Sequence, residues 1–256
     1  MKLQKKKFLI LTFTLFLMSS LLFPQVVTAA EITDGLSGLS EALGSETGET
    51  SQVVQLFLLT TALSLAPTFL VLTTCFTRII VVLSFVRSSL GTQQNPPNLV
   101  LMGIALFLSL FIMQPVYTDV MNEAITPYIN EEISGQAAFE SAELPIKEFM
   151  YKQTRDEDIQ LFLDISETAK PADVKELPLT VAIPAFIISE LRTAFSIGFL
   201  IFIPFLVIDI VVASILMSMG MFMLSPVMIS LPFKLLLFVL VDGWYLVVES
   251  LVTGFQ

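Results

Sequence analysis

No histidine occurs anywhere in the 256 residues. This excludes histidine-built zinc sites, Ser-His-Asp triads and histidine proton relays. The single cysteine, Cys75, cannot form an intrachain disulfide and has no histidine to activate it. Charged residues are scarce at 14%, where soluble domains carry about a quarter. Basic residues are the rarer sign, 13 against 23 acidic, for a formal net charge of −10. That balance argues against nucleic acid and against a basic membrane-surface binder. Glycine-rich phosphate loops are missing, and Ser84, Ser88 and Ser89 have no base nearby in sequence. No catalytic constellation, cofactor site or metal site is expected.

What the chain has in abundance is apolar sequence, 55% of its residues. That is the composition of an integral, all-α membrane protein. The N-terminus carries Lys2, Lys5, Lys6 and Lys7, an apolar stretch over 8–22 and a small-residue site at Val-Thr-Ala-Ala30. This predicts a signal peptide over 1–30, cut after Ala29 or Ala30. An uncleaved anchor is the alternative, for which 8–22 is short. Residues 31–52 are rich in Gly, Ser, Thr and Glu without apolar periodicity, and read as a flexible exported tail.

Apolar blocks follow at 53–86, 99–117, 177–217 and 219–251. As helices, 53–86 and 181–217 would measure about 51 and 55 Å, against a hydrocarbon core of about 30 Å. Pro67, Pro184 and Pro204 are candidate break points. The expected architecture is two long kinked helical hairpins, 53–118 and 178–256, around an acidic segment at 119–177. Between 119 and 176 lie fourteen acidic residues and five basic ones. Ile146, Phe149 and Met150, then Ile159, Phe162 and Leu163, have the spacing of amphipathic helices, so a small folded helical domain facing water is expected. The carboxylates of Asp156, Glu157 and Asp158 read as solvated surface. A cleaved signal puts the acidic segment outside the cytoplasm, in the periplasm, and Arg78 and Arg87 near a cytoplasmic turn, as the positive-inside rule prefers.

Arg78, Glu190, Arg192, Asp209, Lys234, Asp242 and Glu249 are charges embedded in apolar sequence. A charge there costs roughly 2.5–3.5 kcal/mol on insertion scales, so each calls for a partner or a function. Arg78 and Arg87, nine apart, fall on opposite faces of a helix, and Glu190 and Arg192 point apart. Asp242 and Glu249 share a face, with Lys234 about 80° from Asp242. Two readings stand: an intramembrane ion relay, or ion pairs between helices and subunits that fix register. Met217, Met219, Met221 and Met223 fall within seven residues, beside Gly220 and ahead of Pro226. Flexible, polarizable methionine can seal a passage and deform around its contents, although it also serves as ordinary apolar filler.

Four stretches carry a more specific signal. Phe76-Thr-Arg-Ile-Ile-Val-Val-Leu-Ser-Phe-Val-Arg87 with Gly91-Thr-Gln-Gln-Asn-Pro-Pro-Asn98 resembles the FliP family of flagellar type III export-gate proteins. So do Ile188-Ser-Glu-Leu-Arg-Thr-Ala-Phe195, Phe202-Ile-Pro-Phe-Leu-Val-Ile-Asp209 and Leu231-Pro-Phe-Lys-Leu-Leu-Leu-Phe-Val-Leu-Val-Asp-Gly-Trp244. The resemblance runs from about residue 53 to the end. It implies a non-enzymatic subunit that assembles with other copies of itself and with FliQ-like and FliR-like membrane subunits into a helical multi-subunit pore. That pore would sit in the flagellar basal body at the bacterial inner membrane, largely facing the periplasm, and pass unfolded flagellar proteins. It also implies a methionine gasket at Met221-Phe222-Met223, flanked here by Met217 and Met219, with phenylalanine where relatives often carry methionine. Arg78, Arg87, Glu190, Arg192, Asp209, Lys234 and Asp242 would be subunit contacts. Injectisome export gates share these motifs and remain an alternative, as does a stand-alone ion or solute channel or transporter.

Overall fold

A 40-residue helix, Leu179–Ser218, packs against helices Phe76–Leu90, Gly135–Gln153, Asp156–Ile165 and Pro226–Leu240. The computed structural model describes residues 49–92, 94–167, 171 and 173–255. Every regular element among them is helical. We number the α-helices α1 (Glu49–Thr73), α2 (Phe76–Leu90), α3 (Asn98–Ile112), α4 (Gln114–Val120), α5 (Thr126–Ile129), α6 (Gly135–Gln153), α7 (Asp156–Ile165), α8 (Leu179–Ser218), α9 (Pro226–Leu240) and α10 (Gly243–Thr253). A π-turn, Met121–Ile125, joins α4 to α5, and a 3-10 turn, Val174–Glu176, precedes α8. The expected signal peptide lies outside the described residues. Of the expected tail, 49–52 is already helical, as the start of α1.

Residues to Ala66 form one unit and Pro67–Gln256 another. Within the second, α2 presents one stripe, Cys75, Ile79, Val82, Leu83, Val86 and Leu90, at the three- and four-residue spacing of a helix face. That stripe packs with Leu101 and Ala105 of α3, Ala194 and Phe205 of α8, and Phe238 of α9. Gly198 lets α8 approach closely: a Cβ there would stand 2.4 Å from Cδ2 of Phe85. The thiol of Cys75 is buried and lies 3.5 Å from the Ser109 hydroxyl.

The prolines do not break the helices. α1 passes through Pro67, and α8 through Pro184 and Pro204. The breaks fall elsewhere: α2 turns 78° from the Pro67–Thr73 stretch, Gln114–Ile129 turns 56° from α3, and α10 turns 61° from α9. At the first break, the hydroxyls of Thr73, Thr74 and Thr77 donate to the carbonyls of Phe69, Leu70 and Val71 at 2.8, 2.8 and 3.1 Å. Threonine side chains thus satisfy the acceptors that the interrupted helix leaves open. α8 is long and apolar enough to cross a membrane, and up to four spans result if each bent pair is one.

The acidic segment folds as α6 and α7 with a turn on each side. Met150, Ile159 and Leu163 are buried with Leu177, Val181, Ala182, Ala185 and Phe186 in a second cluster, and Ile146, Phe149 and Phe162 pack on it. Five of those eight buried residues come from α8 and its lead-in, so the acidic helices share their core with the long helix. Ser134 caps α6 by accepting from the Ala137 amide at 3.3 Å. The three carboxylates opening α7 suit the positive end of its dipole. They are not all surface: Asp158 is buried beside Arg155 at 3.4 Å, whereas Glu157 is exposed.

Candidate functional site: two charge nodes and a methionine loop

The first node forms where α2, α6, α8 and the last residues of the chain converge. Arg78 sits on the buried stripe of α2, and Glu190 of α8 is fully buried opposite it. The Arg78 Nε donates to Glu190 Oε2 at 2.9 Å, and Nη2 pairs with Glu190 Oε1. Nη2 also donates to the Gln153 side-chain oxygen at 3.1 Å, and Nη1 to the Gly254 carbonyl at 3.2 Å. The Phe255 ring covers the guanidinium, with 3.8 Å from Cζ to its centroid. A fork-on-fork pair with its remaining donors satisfied is the geometry in which burying two charges is tolerable.

The second node joins α2, α8 and α9. Lys234 is buried, and its Nζ lies 2.6 Å from Asp209 Oδ2 and 3.1 Å from the Ser89 carbonyl. The other carboxylate oxygen of Asp209 accepts from the Ser230 hydroxyl at 2.5 Å. The ammonium therefore caps the last turn of α2 while bridging α8 to α9. This is a favourable place for a cation on dipole grounds.

Arg78, Glu190 and Lys234 find their partners inside one chain and keep almost no surface. Arg87 lies at the end of α2 and donates to the Pro96 carbonyl at 3.2 Å, closing the polar turn onto its own helix. Arg192 is exposed, 3.6 Å from Glu157. Asp242 is exposed with φ 51°, at the break between α9 and α10. The break interrupts the helix between Lys234 and Asp242, so the angle counted between them along one helix does not apply. Glu249 accepts from Tyr245 at 3.4 Å on α10.

The methionine cluster crosses the end of α8 into the loop before α9. Gly220 has φ 75°, the left-handed conformation that ends the helix. Every side chain expected at the seal projects outward: Met217 is 59% exposed, Met219 62%, Met221 42%, Phe222 78% and Met223 99%. Methionine and phenylalanine at such exposure form an apolar tip that the described residues leave largely uncovered.

Gln153, Gly254 and Phe255 at the first node, and Ser89 and Ser230 at the second, were not apparent from sequence. Only Ser230 had a local signal: it lies one helical turn before Lys234. The others are brought in by tertiary packing.

Residues 58–251 match the FliP family. The flagellar biosynthetic protein FliP of Bacillus subtilis (strain 168) is 60% identical over 211 residues, which is 82% of this chain and 96% of the relative. The protein of the same name from Caulobacter vibrioides is 52% identical over 220 residues, covering 86% and 83%. That of Aquifex aeolicus is 51% identical over 205 residues, covering 79% and 86%. With more than half of its length matched and relatives covered almost end to end, this chain belongs to the FliP family.

Proposed function

We propose that this chain is a flagellar biosynthetic protein, a pore-forming core subunit of the flagellar type III export gate that passes unfolded flagellar proteins across the inner membrane. The observation that carries the reading is the surface of α8. Only 11% of its most apolar stretch is buried within the chain. Phe195, Phe199, Leu200, Val207, Ile210 and Ile215 are all more than half exposed. So much apolar surface needs lipid or protein against it. Two different coverings fit a helix of about 60 Å: part in a bilayer and part against other subunits.

The relatives are named as flagellar proteins, which favours the flagellar branch over the injectisome. In this reading, further copies of the chain and FliQ-like and FliR-like subunits cover the two bent helical hairpins. The acidic segment faces the periplasm, and the methionine loops of several copies meet to close the pore. Arg87, Arg192 and Asp242, which keep exposed polar atoms, are the charges available for contacts between subunits. The chain has a transport role and no catalysis of its own.

Affinity purification of the chain from its native membrane tests this. The expected product is a heteromeric complex containing several copies of the chain and two other small membrane proteins. A stable monomer that conducts ions alone would instead establish a solitary channel.

A further inference from the structure

We infer that Ser230 is a positioning residue that, through Asp209 and Lys234, holds the arm bearing the methionine loop. From Asp209 to the end of α8, and from Lys234 back to the start of α9, the arm extends about 14 and 12 Å. Beyond the node it is poorly anchored. Leu216 and Ser230 are the side chains buried there among the described residues of the two helices. Ile210, Val211, Ile215, Val227, Met228 and Phe233 are exposed. Within its own chain, the arm therefore depends on polar contacts at its base more than on apolar packing along its length.

Ser230 is the element of that base that makes it directional. It is fully buried, and its one proton goes to Asp209 Oδ1, with the Val227 carbonyl at 3.1 Å as second acceptor. Fixing Oδ1 leaves Oδ2 aimed at Lys234, whose ammonium reaches on to the Ser89 carbonyl. Three helices are thus tied through one carboxylate, and the hydroxyl sets its orientation. Removing it leaves a charged oxygen without its donor in a mostly buried site, while the ion pair itself remains. The arm should then swing on its base without the chain unfolding.

The importance of the arm rests on the reading of the loop as the seal, so the experiment separates the two. Amide hydrogen exchange is measured on the purified complex carrying Ser230→Ala, with Ser196→Ala, a hydroxyl loss on the exposed face of α8, as control. Exchange over 210–218 and 226–233 should rise roughly tenfold, with α2, α6 and α7 unchanged and Ser196→Ala like the parent. Unchanged exchange over those two stretches, or a rise spread equally through α2, α6 and α7, overturns the proposal. Resting ion leak is measured beside it, with Met221→Ala/Met223→Ala as reference. If the reference leaks, Ser230→Ala must leak too, and a tight complex overturns the proposal. If the reference stays tight, the loop is not the seal, and exchange alone still decides whether Ser230 holds the arm.

Discussion

At Arg78 one guanidinium meets a carboxylate, an amide oxygen, a main-chain carbonyl and an aromatic face. Each takes a different part of the same planar group, so no other side chain fills the role. Removing the guanidinium strands a fully buried Glu190, and breaking a buried pair from one side costs about 3–5 kcal/mol. Arg78→Ala should therefore lower the thermal stability of the detergent-solubilised chain steeply. Arg78→Met combined with Glu190→Leu should recover much of the loss, because no charge is left unpaired. A double variant as unstable as Arg78→Ala would show that the pair contributes more than mutual neutralisation. The arginine announced itself in sequence as a charge within an apolar run, and the nine-residue spacing placed Arg87 on another face. Its partner did not, because Glu190 lies 112 residues away and no periodicity reaches across that separation.

Two of the three bends fall where hydroxyls or a left-handed residue allow them, and none falls at Pro67, Pro184 or Pro204. A proline inside a helix removes one donor and crowds one carbonyl. The structure absorbs both at Pro67, Pro184 and Pro204, as helices in apolar surroundings commonly do. The signal at the first break was the Thr73-Thr74-Cys75-Phe76-Thr77 sequence, whose three hydroxyls compete for main-chain acceptors. At the centre of the packing, contact between α2 and α8 depends on the missing side chain of Gly198. Gly198→Ala would drive a methyl into Cγ and Cβ of Phe85 as well as its ring edge, and overpacking of this kind costs about 1–3 kcal/mol. Thermal unfolding should show that loss, and adding Phe85→Ala should make the Gly198→Ala step nearly neutral. Equal penalties in both backgrounds would place the strain elsewhere.

Taken whole, the chain is sparing with its apolar residues inside and generous with them outside. Its composition made the membrane class legible, and the acidic helices were readable from their apolar spacing. The sharing of their core with α8 was not, because that depends on which face of a nearly uniformly apolar helix turns inward. The exposed loop beyond Gly220 belongs to the same scale, since in the proposed gate such tips from several copies would meet. Met221→Ala/Met223→Ala removes two long flexible side chains from that tip. In planar bilayers, the resting complex carrying it should pass small ions that the parent excludes. Unchanged conductance in a normally assembled complex would rule out the seal.

Cys75 gives the molecule one further property. It is the only sulfhydryl in the sequence, and it is fully buried against Ser109 on the neighbouring helix. A maleimide or a spin label therefore finds no target on the folded surface, and a cysteine introduced at the loop tip or on α8 can be modified without altering Cys75. When the original thiol does react, α2 and α3 have come apart.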